Sequence, residues 1–267
     1  MRKLTRLMDL TGRSALVTGG AGHIGLAACE ALMELGADVS ILDFDSNACQ
    51  QRAEQVSNLG PGMVLPVACD LKDDAATRSA VNSVVREAGR LDILIHCAAY
   101  VGATQVPGWA VPFKDQTVEA WDAALRVNLT SAFIIVQEAR GALAESEAGS
   151  VILFGSTYGL VGPDFSLYLG TDMANPVGYG ASKGGILQLT RSLATELAPR
   201  VRVNSISPGG LSRGQPKQFQ ERYINKTPLG RMATEEDLKG AVAYLASDLS
   251  RYVTGHNLVV DGGWTAW

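Results

Sequence analysis

Tyr179-Gly-Ala-Ser-Lys183 sets a phenol four residues before an ammonium, so in a helix the two share one face, one turn apart. A free phenol, with a pKa of about 10, is a poor acid–base group at neutral pH. A nearby ammonium favours the phenolate, and this spacing predicts a lowered pKa that brings Tyr179 into proton chemistry. An ordinary surface pair has the same spacing, so the surroundings decide. Ser156 follows an apolar run and offers a hydroxyl to a substrate oxygen. Asn128 lies in a long helical stretch and is suited to hold a water or a backbone carbonyl. Pro208-Gly209-Gly210 closes another apolar run and is shaped to wrap a flat ring.

Near the N-terminus, Thr18-Gly19-Gly20-Ala21-Gly22-His23-Ile24-Gly25 joins an apolar run to a helical pattern. Glycines allow a tight turn and close approach of a pyrophosphate, and the helix that follows offers unpaired N–H groups. The next apolar run ends in Ile41-Leu42-Asp43. Asp43 falls near the spacing of about 20 residues at which a carboxylate meets the ribose hydroxyls of a dinucleotide. No Arg or Lys occupies Phe44-Asp45-Ser46 to neutralise a 2′-phosphate, so the residues predict NAD; Asp45 is a possible substitute for Asp43.

These groups need a scaffold, and the chain alternates strand and helix patterns throughout. Ser14–Val17, Asp38–Leu42, Val64–Ala68, Leu91–Ile95, Ser150–Phe154, Arg202–Ile206 and Asn257–Val260 read as strands. Most are short, rich in Val, Ile and Leu and not alternating, as expected of strands covered on both faces. Ile24–Leu35, Asn47–Leu59, Ala75–Ala88, Trp121–Leu143, Tyr179–Ala198 and Glu235–Ala246 read as helices, the last opened by a capping box of Thr234 and Asp237. The pattern predicts an α/β fold: a Rossmann-type doubly wound parallel sheet of about seven strands, with helices on both faces. Its 267 residues, 46% hydrophobic, are expected to form one dinucleotide-binding and catalytic domain, 1–267. Two segments break the rhythm: an insertion at 163–176 and a polar loop at 211–231.

Composition excludes several alternatives. A net charge of −4 gives no basis for nucleic-acid or membrane-surface binding, so the expected partner is a small-molecule substrate. Cys29, Cys49, Cys69 and Cys97 match no metal motif and read as free thiols in the cytoplasm, and His23, His96 and His256 are scattered. No metal site is expected. Met1–Leu10 reads as a loose leader.

The ordered set resembles the compact, single-domain branch of the short-chain dehydrogenase/reductase family from Leu10 to Trp264. The carriers are the glycine turn, Asp43, Asp70-Leu71, Asn128, Ser156, Tyr179, Lys183, Asn204, Pro208-Gly209 and Thr254-Gly-His-Asn…Asp261-Gly-Gly-Trp264. The resemblance implies a proton donor or acceptor in Tyr179 and a Lys183 that tunes it and binds ribose. Ser156 would orient the carbonyl or alcohol, and Asn128 would support a relay water. Asp70 would contact the adenine, and Gly19, Gly22, His23, Ile24, Gly25, Leu71, Cys97, Ala98, Pro208 and Gly209 would line the cofactor. It also implies a homotetramer.

Departures from the family pattern are His23 where glycine is common, His96-Cys97-Ala98-Ala99 after the fourth strand, and no threonine after Pro208-Gly209. The last leaves the carboxamide to Ser212 or Arg213. The Pro163–Pro176 insertion resembles a subgroup of sugar- and surface-glycan-associated oxidoreductases and is expected to cover the active site. The expected reaction is NAD-dependent interconversion of a secondary alcohol and a ketone on a sugar or sugar derivative. Reduction of a 3-oxoacyl thioester and a non-catalytic nucleotide-binding role are the alternatives. Arg213, Lys217, Arg222, Lys226 and Arg231, against Glu221 alone, predict a substrate carrying negative charge.

Overall fold

A computed structural model describes residues 1–267. In chain order it comprises α1 (Leu4–Met8), β1 (Ser14–Thr18), α2 (His23–Glu34), β2 (Asp38–Asp43), α3 (Ser46–Val56), β3 (Val64–Ala68), α4 (Asp74–Ala88) and β4 (Ile93–His96). There follow α5 (Val118–Leu125), α6 (Ser131–Glu145), β5 (Gly149–Phe154), α7 (Val177–Glu196), β6 (Val201–Pro208), α8 (Lys217–Asn225), α9 (Glu236–Ala246) and β7 (Asn257–Val260). The seven strands form one sheet in the order β3-β2-β1-β4-β5-β6-β7, every pairing parallel. The order reverses between β1 and β4, and open α/β sheets bind ligands outside the strand ends at such a point.

The unbroken apolar strands follow from this layering. In β1, Ala15 and Val17 enter a core shared with α2, α3 and α9, while Leu16 enters a second core under α4, α6 and α7. In β5, Ile152 and Phe154 face the first core, and Val151 and Leu153 the second. Each fully buried aliphatic side chain contributes about 1.5–3 kcal/mol, so both faces of the sheet are strongly specified. Pro66 is tolerated because β3 is an edge strand.

Trp121–Leu143 is helical throughout, with a π-helical turn, Arg126–Thr130, between α5 and α6, where the Ser131 hydroxyl bonds back to the Val127 carbonyl at 2.7 Å. Two expectations are corrected. The N-terminal leader is not loose, because Arg2 and Arg13 both pair with Asp248 and Leu10 is fully buried. The polar 211–231 loop contains helix α8, whose Phe219 and Tyr223, one turn apart, are both buried. No helix is long and apolar enough to cross a membrane.

Candidate active site

The glycine turn, the end of β2 and the end of β4 close on one another. Gly19 adopts φ +65°, and a Cβ there would lie 2.6 Å from the Ala98 nitrogen. A Cβ on Gly25 would lie 2.1 Å from the Gly19 carbonyl oxygen. Only glycine permits either approach. Gly22 caps α2 with no side chain, so the first amides at His23 and Ile24 face the turn without a side-chain acceptor. The half-buried Asp43 carboxylate accepts from the Ala21 N–H at 3.2 Å and the Phe44 N–H at 2.8 Å. Burial raises its pKa. The Cys97 N–H donates to the Thr18 carbonyl at 3.0 Å, setting Cys97 and Ala98 against the turn. Asp70 is exposed beside Lys72, and Leu71 is buried. A backbone cradle with free amides at a helix N-terminus and a carboxylate at its rim fits the pyrophosphate and ribose of a dinucleotide.

A second group converges from β5 and α7. Ser156, 7% exposed, accepts from the Tyr158 N–H at 3.1 Å. A Cβ on Gly159 would lie 2.7 Å from the Lys183 carbonyl, so this glycine lets the Ser156 turn touch α7. Lys183, 3% exposed, donates to the Phe154 carbonyl at 2.7 Å, and its Nζ lies 5.8 Å from the centre of the Tyr179 ring. Burial pushes the Lys183 pKa down to about 8.

The lowered Tyr179 pKa expected from Lys183 is not found. Burial raises the Tyr179 pKa, with Tyr168 adding to the rise, while the Ser156 hydroxyl and the Arg213 charge act the other way. The Lys183 ammonium itself is bonded to the Phe154 carbonyl.

Asn128, fully buried in the π turn, holds a backbone carbonyl, one of the two roles expected of it. Its Oδ1 accepts from the Tyr100 N–H at 2.6 Å, and its Nδ2 donates to the Tyr100 carbonyl at 3.2 Å and to the Ser182 Oγ at 2.9 Å. Ser182 in turn donates to the Tyr179 carbonyl at 2.8 Å. The side-chain amide thus ties the segment after β4, at Tyr100, to α7, at Ser182. His96 is fixed to the Thr18 hydroxyl at 2.8 Å through Nδ1, and burial and the Lys183 charge lower its pKa to about 3.

Sequence reasoning missed an aromatic wall beside this pair. Tyr158, Tyr168, Phe219, Tyr223 and Trp264 pack together with Leu167, Met173 and Met232. Tyr168 comes from the insertion, Phe219 and Tyr223 from α8, and Trp264 from the C-terminal turn. Spacing carries no signal for such an assembly, although the proximity of Tyr158 to Ser156 is visible in sequence.

The basic cluster holds this wall in place. Lys226 pairs with Asp164, and Arg222 donates to the carbonyls of Leu167 and Leu169. Arg231 binds Asp237 through two bonds of 2.7 Å, Lys217 approaches Glu221, and Arg213 donates to Glu235 at 3.0 Å. The charges expected to attract an anionic substrate therefore have partners within the chain, and two of them anchor the insertion to α8 and its end.

Residues 19–265 match the family model described as enoyl-(acyl carrier protein) reductase. The chain is 33% identical over 261 residues to 2-(S)-hydroxypropyl-CoM dehydrogenase 3 of Xanthobacter autotrophicus, covering 94% of this chain and 95% of that one. It is 32% identical over 270 residues to the NADP-dependent mannitol dehydrogenase of Alternaria alternata, covering 98% and 96%. Among solved structures, NAD+-bound xylitol dehydrogenase superposes with a TM-score of 0.83 at 29% identity, covering 95% of this chain and 99% of that one. With the fold, the glycine cradle and the Ser156–Tyr179–Lys183 convergence, these matches show that the chain belongs to the short-chain dehydrogenase/reductase family and is an oxidoreductase.

Proposed function

We propose that this protein oxidises a secondary alcohol of a polyol or sugar derivative to the ketone, and reduces it back, with NAD as cofactor. The observation that carries this reading is the meeting of Ser156, Tyr179 and Lys183 beside the glycine cradle. Relatives named for mannitol and xylitol support the substrate class. A nicotinamide held in this cleft would supply the hydride chemistry. The residues of the chain manage the proton and the geometry. Ser156 holds the reacting oxygen, and Tyr179 takes its proton in oxidation and returns it in reduction. Lys183 would bind the ribose, and its charge near the phenol would favour phenolate. Asn128 braces Tyr179 through Ser182. Gly19, Gly22, His23, Ile24 and Gly25 would seat the pyrophosphate, Asp70 and Leu71 would meet the adenine, Cys97 and Ala98 would line the adenosine, and Pro208 and Gly209 would meet the nicotinamide.

Asp43 supports NAD over NADP: its carboxylate accepts from ribose hydroxyls and repels a 2′-phosphate. The chain acts as one catalytic unit over 1–267, with the 163–176 segment and the 211–231 segment forming the substrate side. Assembly as a homotetramer rests on family resemblance. A cytoplasmic setting is supported by four free cysteines. The test is cofactor reduction with NAD+ and NADP+ across polyols, sugars and 3-hydroxyacyl thioesters. Turnover fastest with a polyol and NAD+ is expected; turnover confined to thioesters or to NADP+ would overturn the reading.

A further inference from the structure

One carboxylate oxygen joins the glycine cradle to the loop after β6. Oε1 of Glu235 accepts from Arg213 Nε at 3.0 Å and lies 3.7 Å from His23 Nδ1. His23 opens α2 directly after the Gly22 cap, so Glu235 stands at the mouth of the cradle. The Arg213 and Glu235 side chains are 31% and 32% exposed, so a ligand can reach both. The loop that carries Arg213 is pinned. Leu211 bridges to Ala233, the Ser212 N–H donates to the Ala233 carbonyl at 2.9 Å, and the Ala233 N–H donates to the Gly210 carbonyl at 3.0 Å. A fixed backbone thus presents a long side chain, and only that side chain need move. The Arg213 charge is also felt at Tyr179, so the guanidinium is close to both the cradle and the catalytic phenol.

Neither Thr18–Gly25 nor Asp43–Ser46 holds an Arg or Lys, so the cradle itself offers a pyrophosphate only backbone N–H groups and a helix N-terminus. The other cations of the 211–231 segment near α9 are committed: Arg231 binds Asp237 through two bonds, and Lys217 approaches Glu221. Arg213 spends only Nε on Glu235, and no protein acceptor takes its two terminal nitrogens. A guanidinium grips phosphate with parallel N–H bonds from one edge, and that edge is open here. Glu235 can release Arg213 without being stranded, because it holds the N-cap position of α9, where the helix dipole favours a carboxylate. The sequence left the nicotinamide carboxamide to Ser212 or Arg213; the tie to Glu235 turns Arg213 toward the cradle instead.

We propose that Arg213 is a pyrophosphate clamp: when the dinucleotide binds, its guanidinium exchanges Glu235 for the pyrophosphate and bridges the two sides of the cleft. Glu235 is the internal anion that holds the clamp open. This rests on the dinucleotide reading above and is independent of which alcohol reacts. An internal anion that competes with the ligand lowers the apparent affinity by the fraction of molecules it occupies, so Arg213 and Glu235 act on cofactor affinity with opposite signs.

The experiment measures the affinity of the intact protein for NADH, by fluorescence titration, and for ADP-ribose, which has the pyrophosphate but no nicotinamide, by calorimetry. Arg213→Gln should weaken both by the same factor, at least about tenfold, as expected for loss of a charge-assisted bond. Arg213→Lys keeps the charge without the fork and should recover part of the loss. Glu235→Gln removes the competing charge and should tighten both at least about threefold. A loss confined to NADH would assign Arg213 to the carboxamide and overturn the clamp. Unchanged affinities in Arg213→Gln would leave a surface ion pair and overturn it too. An affinity unchanged or weakened in Glu235→Gln would show that Glu235 does not compete, which overturns the exchange. Should Arg213→Gln fail to fold, the sign of the Glu235→Gln change decides the matter. If the wild type binds neither NADH nor ADP-ribose, the dinucleotide reading falls as well.

Discussion

On the side of the cleft formed by β1, β2 and β4, the cradle is made of backbone. Gly19 and Gly25 allow approaches that no side chain would permit, and a single carboxylate, Asp43, stands at the rim. Across from it, the wall is made of side chains drawn from residues 158–175, α8 and Trp264, far apart in sequence. The first side is fixed by strand pairing within a parallel sheet and can hardly vary without loss of the fold. The second hangs on aromatic contacts and a few exposed ion pairs, and it can change its lining while the scaffold stays. That division explains how relatives of about one-third identity keep the scaffold while their names record different substrates and different nicotinamide cofactors.

The comparison is tested most severely at the seam between the two sides. Replacing Tyr179 with Phe should lower kcat by about 10²–10⁴-fold while the affinity for NADH, followed by fluorescence titration, stays within a few-fold. A variant that loses cofactor affinity in parallel with rate would mean that the phenol belongs to the cradle. On the cradle itself, Asp43→Ser should shift the NAD-to-NADP affinity ratio toward NADP by at least about tenfold, or ~1.4 kcal/mol. An unchanged ratio would remove Asp43 from cofactor choice.

Lys183 offers a smaller effect with a definite sign. Its pKa is pushed from 10.5 to about 8 in the fold. Between those values the unfolded chain holds the proton and the folded chain does not, so this group adds stability as pH rises from 8 to 10.5. The stability difference between the cofactor-free wild type and Lys183→Met, from urea titrations, should climb through that window; a flat difference would place the ammonium in water. The smallest effect belongs to the wall. Asp164→Asn keeps the oxygen that accepts from the Ser166 N–H, removes the charge facing Lys226 and should cost less than ~1 kcal/mol of stability. It should raise KM for the polyol a few-fold and leave kcat alone, and a fall in kcat would show the insertion acting on the chemistry itself.

The cradle was largely legible in the sequence and the wall was not, for a physical reason. Strand runs such as Ser14–Val17 and Ser150–Phe154 fall within one residue of their observed bounds because continuous burial writes itself as continuous apolarity. Gly19, Gly25 and Asp43 are local to one strand–turn–helix unit, and their spacing is their signal. Tyr168 and Trp264 join one cluster only because the insertion and the C-terminal turn pack on α8, and no periodicity records that. The π turn at Arg126–Thr130 was hidden because its residues continue the helical pattern on both sides. The raised Tyr179 pKa was not legible because spacing reports that Lys183 is near but not how deeply the phenol is buried. The basic residues of 211–231 looked available for an anion because their partners, such as Asp164 and Asp237, lie outside that segment.

The central claim is that this cleft moves a hydride from a carbinol carbon of a polyol while Tyr179 takes the hydroxyl proton. A polyol deuterated at its carbinol carbons, incubated with the protein and NAD+, tests it most directly. The account predicts deuterium on the reduced nicotinamide, a slower chemical step than with the unlabelled polyol, and neither product nor label transfer above trace with Tyr179→Phe. Reduced cofactor without deuterium, or label transfer at the wild-type rate in the Phe variant, would contradict it.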